Sequence, residues 1–281
     1  MGVIQHESKD NECVSWVNGI PSHTVSTSDR GLAYGDGVFE TVRVNQSPVL
    51  LAEHLLRLAR GLRVLSIPFD MSVLQREITD FLSQRQDGIL KIIVTRGEGG
   101  RGYKGPDSPQ PTRILSWHPL PVLADSYYEQ GFSIYACDTR LSQNPLLAGI
   151  KHLNRLEQVL ARNEWSGDEF QEGLLCDQYD NVVEAVSSNV WMARGGILMT
   201  PALNFSGVAG VMREWLLKQM PQLGIEVIIG EIQQTEIAGM DEFFLSNSIF
   251  GVVPVQQYAG REWTRGPIAR MCQQAIQDQL F

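Results

Sequence analysis

Lys151 follows the apolar stretch Leu147-Ala-Gly-Ile150 and stands just before a predicted helix over 153–163. An amine with an apolar flank loses hydration, which lowers its proton affinity and makes it usable as a nucleophile or base. On position alone, a surface lysine with its stem laid along apolar neighbours is the commoner arrangement. Glu184 lies near the end of a predicted strand, Val182–Ala185, where a carboxylate can face a pocket or plain solvent. Further on, Phe205-Ser-Gly-Val-Ala-Gly-Val-Met-Arg213 sets Gly207 and Gly210 at the opening of a helix predicted over 208–220. Free amides and the positive end of a helix dipole suit a phosphate, although a plain strand-to-helix turn uses the same residues.

Other chemistries find less support. The run Arg96-Gly-Glu-Gly-Gly-Arg-Gly-Tyr-Lys104 satisfies GxGxxG after a predicted strand. A dinucleotide site also needs a helix to begin at the last glycine, and the following Tyr-Lys-Gly-Pro-Asp-Ser-Pro cannot start one. The better reading is a glycine-rich loop carrying Arg96, Arg101 and Lys104, with a solvated basic loop as its competitor. The five histidines show no HExxH or paired spacing, and no GxSxG elbow is present, so zinc and serine-hydrolase chemistry start weak.

The elements that must position these groups read as α/β. Strands are predicted at 14–19, 37–44, 88–95 and 112–117, with a turn-rich stretch at 26–35. Leucines 51, 55, 58 and 62 recur at helical spacing, and a second helix is predicted over 71–84. The segment 118–124, with two prolines, reads as a linker between an N-terminal unit (1–117) and a C-terminal unit (125–281). The second unit offers strands at 132–137, 173–176, 182–185 and 190–200, the last broken at Gly195-Gly196, and a closing helix over 268–279. No internal repeat is apparent, and residues 1 to about 13 read as a loose polar extension.

A net charge of −9 argues against a general nucleic-acid binder, which needs a basic face, yet leaves room for a small anionic substrate in a locally basic pocket. Four scattered cysteines read as reduced thiols in a cytoplasmic protein, and neither a signal peptide nor a membrane-length apolar run is visible.

Taken together, four segments resemble the fold-type IV pyridoxal-phosphate enzymes. They are Asp29-Arg-Gly-Leu-Ala-Tyr-Gly-Asp-Gly-Val-Phe-Glu-Thr41, Leu147–Glu157, Val183–Val190 and Phe205–Arg213. That family includes branched-chain and D-amino-acid aminotransferases and aminodeoxychorismate lyases. The Leu147–Glu157 block, the 96–104 loop and Gly207–Arg213 look like the lyase branch, and the likeness runs from about Val17 to Val255. It implies a two-domain α/β (α+β) fold with pyridoxal 5'-phosphate between the domains. Lys151 would then join the cofactor covalently, and Glu184 would pair with its pyridine nitrogen. Arg57 would grip its phosphate, with the Val208 and Ala209 amides and with Asn247 and Ser248. Arg155 would lie near the phenolic oxygen, where aminotransferases place a tyrosine. Arg96, Arg101 and Lys104 would form a clamp for an anionic substrate, Lys151 would be the catalytic residue, and the chain would act as a homodimer. The implied reaction turns 4-amino-4-deoxychorismate into 4-aminobenzoate and pyruvate for folate synthesis. An amino-acid aminotransferase using the same lysine is the alternative.

Overall fold

A computed structural model describes residues 15–281, so the expected extension at the N-terminus lies outside the described residues. The first half of the chain builds a six-stranded sheet. Its elements are β1 (Ser15–Val17), β2 (Ile20–Pro21), α1 (Arg30–Tyr34), β3 (Gly37–Asn45), β4 (Ser47–Pro48), α2 (Leu51–Val64), α3 (Met71–Leu82), β5 (Asp87–Thr95) and β6 (Arg113–His118). All strand pairs are antiparallel, in the order β2-β1-β6-β5-β3-β4. Period-two alternation on β3 turns Val38, Val42 and Val44 inward against Leu55, Leu58 and Leu62 of α2 and Leu74, Ile78 and Phe81 of α3. Glu40 occupies the same inward row and is fully buried. A carboxylate in that row needs partners, which α2 supplies.

The second half contributes α4 (Asp125–Gln130), β7 (Phe132–Leu141), α5 (Leu156–Arg162), β8 (Glu172–Asp177), β9 (Val182–Ala185), β10 (Asn189–Arg194), β11 (Ile197–Pro201), α6 (Val211–Gln222), β12 (Val227–Gly230), β13 (Glu242–Asn247), β14 (Gly251–Tyr258), β15 (Arg261–Glu262) and α7 (Pro267–Gln279). These strands form a nine-stranded mixed sheet, ordered β12-β11-β10-β13-β14-β7-β8-β9 with β15 on β14. Helices α6 and α7 cover one face, and a second apolar cluster including Ile232, Ile237 and Met240 covers the other. Because both faces are covered, β10 is buried at every residue from Asn189 to Ala193. Among the described residues no helix is long and apolar enough to cross a membrane.

Two boundaries differ from expectation in ways that matter for the site. The helix expected from 153 begins only at Leu156, because residues 151–153 serve β3 instead. Phe39 N donates to the Lys151 carbonyl at 3.0 Å, Leu153 N donates to the Gly37 carbonyl at 3.0 Å, and Val38 bridges His152. The helix expected from 208 begins at Val211, because Gly149 N donates to the Gly207 carbonyl and Ala209 N to the Gly149 carbonyl. Both delays arise where backbone is diverted to tie one stretch of chain to another. The stretch read as turn-rich contains α1, whose first amide partner is the Asp29 side chain, accepting from Gly31 N at 2.7 Å.

Candidate active site

The backbone bonds between 151–153 and β3 bring Lys151 over the outward face of that strand, with its Nζ 4.4 Å from the Phe39 ring centroid. Among the described residues the amine has no hydrogen-bond or ion-pair partner; the ring is its only contact of this kind. Burial, then the Arg57 guanidinium, lower its pKa to about 8; Glu40 and Glu184 pull the other way, and Arg155 again lowers it. An amine near 8 is mostly protonated at pH 7, but its free-base share, roughly one in ten, is hundreds of times that of an ordinary lysine.

Arg57 stands between the two halves of the chain. Its Nε donates to Glu40 Oε1 at 2.8 Å, Nη2 to Glu40 Oε2 at 2.5 Å, and Nη1 to the Ala209 carbonyl at 3.0 Å. His54 Nδ1 meets Glu40 Oε2 at 2.6 Å, so one buried carboxylate holds two α2 side chains. Burial would push the Glu40 carboxyl up, but Arg57 and His54 outweigh it and bring the pKa down to about 2.

Glu184 is buried at the end of β9 and held at both oxygens: Val208 N donates to Oε2 at 2.7 Å and Gln158 Nε2 to Oε1 at 3.2 Å. Burial raises its pKa, opposed first by the Arg155 charge and then by the Val208 amide, Lys151 and Gln158. Gly207 makes room for this carboxylate: a Cβ there would sit 2.7 Å from Val183 Cγ1 and 3.3 Å from Glu184 Oε2, and its φ of +80° also suits glycine. Arg155 turns back on its own turn, donating to the His152 carbonyl at 3.0 Å and hydrogen-bonding His152 Nε2. Burial, then Arg155, push the His152 pKa down to about 4. A cavity of about 230 Å³ lies beside this group, lined by His152, Arg155, Gln158, Phe205 and Gly207 among others. A larger groove of about 810 Å³, lined by Arg43, Tyr128 and Arg265, includes neither Lys151 nor Glu184, so volume does not locate the chemistry here.

The arrangement departs from the sequence expectations at several residues. The Val208 and Ala209 amides, expected to face a phosphate, donate to Glu184 and to the Gly149 carbonyl. The amides left without an acceptor in the helix are those of Val211, Met212 and Arg213, the first turn of α6. The Asn247 side chain caps its own turn, with Oδ1 accepting from Ile249 N at 2.9 Å and Phe250 N at 3.0 Å. The Ser248 hydroxyl has no partner among the described residues. Arg96, expected in a substrate clamp, is spent elsewhere: Nε and Nη2 bind Asp36 at 2.7 and 3.0 Å, and Nη1 and Nη2 cap the carbonyls of Ser66 and Leu65. Arg101 is exposed, and Lys104 is exposed and pairs with Asp107 at 2.9 Å. Their loop is not a dinucleotide turn. Buried Arg30 clasps it from below, donating to the Gly102 and Tyr103 carbonyls at 3.0 and 2.9 Å. Sequence reasoning missed Glu40, His54 and Gln158. Glu40 and His54 lay inside or beside segments already singled out, with nothing in their spacing to pair them.

Pyridoxal phosphate needs an amine for its aldehyde, a carboxylate for its ring nitrogen and a cationic or amide-lined place for its phosphate. The unpaired Lys151 amine, the Glu184 carboxylate in its glycine-lined cradle, and Arg57 beside the opening of α6 fit that group. Among the described residues no cluster of three metal-ligating side chains occurs.

The comparisons agree with one another. The chain is 36% identical to the aminodeoxychorismate lyase of Vibrio harveyi over 88% of this chain and 92% of that one. It is 28% identical to the D-alanine aminotransferase of Bacillus licheniformis over 92% of each. The solved structure of 4-amino-4-deoxychorismate lyase from Pseudomonas aeruginosa superposes with a TM-score of 0.93 at 47% identity, covering 95% of this chain and 99% of that one. The fold-type IV α/β architecture expected from the sequence is the fold of these neighbours. The amino-transferase class IV family matches residues 37–258, most of the described chain, and the protein belongs to that family.

Proposed function

We propose that this chain is a pyridoxal-phosphate-dependent lyase that converts 4-amino-4-deoxychorismate to 4-aminobenzoate and pyruvate for folate synthesis. The observation that carries the reading is the Lys151 amine: unpaired, pulled to a pKa of about 8, and within electrostatic reach of Arg57 and Glu184. The lyases among its relatives favour this reaction over amino-group transfer. Held by Lys151, Glu184 and Arg57, pyridoxal phosphate would supply an electron sink for a carbanion at C4 of the substrate. The free amine of Lys151 takes the C4 proton as general base. The same amine returns a proton to the enolpyruvyl group as the carbon–oxygen bond at the neighbouring carbon breaks. No oxidant, reductant or water is consumed, and aromatisation of the ring drives the step. Arg57 and the first turn of α6, with the Ser248 hydroxyl, would hold its phosphate.

The purified protein incubated with 4-amino-4-deoxychorismate is expected to release 4-aminobenzoate and pyruvate in equal amounts. Cofactor-loaded protein that makes neither, yet forms glutamate from 2-oxoglutarate and an amino acid, would overturn the lyase reading in favour of an aminotransferase. The substrate carries two carboxylates, and with Arg96 held in a largely buried pair by Asp36 we assign them to Arg101 and to Lys104, whose solvent-exposed pair with Asp107 would open to receive one. Arg101→Ala should raise KM about tenfold or more, on the scale of one lost charge-assisted hydrogen bond, with cofactor content unchanged; equal loss of both would refute that role. The exposed Leu156, Val159 and Leu160 on α5, 75%, 52% and 60% accessible, support a second copy covering this side, hence a homodimer. We take the cytoplasm as its place of action.

A further inference from the structure

Glu184 receives one hydrogen bond at each oxygen, and the two donors differ in kind. Val208 N is backbone, fixed by the turn that ties Gly207 and Ala209 to Gly149. Gln158 Nε2 is a side-chain donor on α5, three residues beyond Arg155. With Glu184 ionised, as pairing with a protonated ring nitrogen requires, the carboxylate only accepts, so the NH2 end of this amide faces Glu184 Oε1. Its other end is then left unserved. Gln158 Oε1 is buried and has no hydrogen-bond partner. A buried acceptor without a partner costs stability, so what this position gains from an amide lies in its donor end, on Glu184.

We propose that Gln158 is a positioning residue that holds and aims the Glu184 carboxylate toward the ring nitrogen of bound pyridoxal phosphate. The inference rests on the cofactor reading above. Glu184 sits where burial favours its neutral form, and a neutral acid cannot hold a protonated ring nitrogen by charge. Arg155 and Lys151 bring positive charge nearby, but neither hydrogen-bonds the carboxylate among the described residues. The directional restraints are the Val208 amide and Gln158, and only Gln158 can be altered without moving the backbone. Through Glu184 it governs how firmly the ring nitrogen is held.

The test titrates the apo protein with pyridoxal phosphate, reading affinity and the visible absorption band, and melts the apo form in parallel. Gln158→Met keeps the volume while removing both the donor to Glu184 and the unpaired acceptor. Relief of the unpaired acceptor and loss of the donor to Glu184 Oε1 oppose each other, so we expect an apo melting temperature within a few degrees of the wild type. Cofactor affinity should fall about tenfold or more, the scale of a hydrogen bond to a charged group, and the absorption band should shift. Gln158→Glu, the same shape, sets a second carboxylate against Glu184 and should weaken binding further, which serves if the methionine variant folds poorly. Wild-type affinity and spectrum in both variants would overturn the positioning role. A wild-type chain that binds no pyridoxal phosphate would overturn the cofactor reading itself, and this role with it.

Discussion

Lys151→Ala protein should release 4-aminobenzoate at least about 10⁴-fold more slowly than the wild type, because in the proposed reaction one side chain serves as attachment point, base and acid. The same variant should form no borohydride-reducible link to pyridoxal phosphate. A link that survived the substitution would place the attachment at another lysine. The physics of the site adds a second expectation, on stability. The amine's pKa is about 8 in the folded chain against an ordinary value of 10.5. Between those values the unfolded chain binds more protons than the folded one, so stability rises with pH across that window. Below pH 8 the folded apo protein carries the whole penalty, at most about 3 kcal/mol. Lys151→Met keeps most of the apolar stem and removes the charge, so its apo form should melt several degrees above the wild type at pH 7. The gap should close as the pH approaches 10.5. Calorimetry of the two apo proteins at about pH 7 and about pH 10 checks both the sign and the window. A methionine variant that melts lower at neutral pH would mean the amine is not buried at a cost.

Legibility of this protein from its sequence follows what each kind of pattern can report. Alternation and leucine spacing placed β3, α2, α3 and β5 within a residue or two, because each buries one face and the other meets polar surroundings. The same reasoning placed nothing at β13 or β14, the paired strands around the Ser246-Asn-Ser248 turn. Pro254 lies within β14 and reads against a central strand, yet the sheet takes it where β14 changes register against β7, between Val255 and Gln257. Lys151 and Glu184 stood out by type and context, and the folded chain brings them within electrostatic reach of each other. Arg96 could be read as a free cation because nothing in its spacing reveals that Asp36 and the end of α2 converge on it. Helix starts were misplaced where backbone left the local pattern to bond distant segments, at 151–153 and 207–209, and those are the places that build the site. Periodicity reports what a segment does with its own neighbours. Long-range backbone diversion is invisible to it.

Glu40→Ala should be the most destabilising single change near the site, and in the proposed assignment it also weakens cofactor binding through Arg57. The carboxylate is fully buried and accepts from two Arg57 nitrogens and from His54. Removing it strands a guanidinium whose side chain is 11% exposed and a histidine at 1%. Breaking a buried pair by deleting one partner costs about 3–5 kcal/mol, which for a chain of this size lowers Tm by roughly 6–20 °C. Cofactor affinity should fall with it, since Arg57 would keep only its bond to the Ala209 carbonyl. The pH dependence separates this pair from ordinary packing. The Glu40 pKa is about 2 in the folded chain against an ordinary value of 4.5, a depressed carboxylate. Its contribution is therefore present above pH 4.5 and lost as the pH falls toward 2, where the unfolded chain takes up the proton first. His54 is shifted down as well, which adds to the acid loss below its ordinary value of 6.5. Glu40→Gln keeps the shape and removes the titration, so its Tm should start lower at neutral pH and fall less steeply between pH 4.5 and the acid limit of folding. Parallel curves for the two proteins would mean that the folded chain does not depress the Glu40 carboxyl, so that no ion pair with Arg57 stabilises it. In that case the charge holding Arg57 would have to come from elsewhere in the molecule.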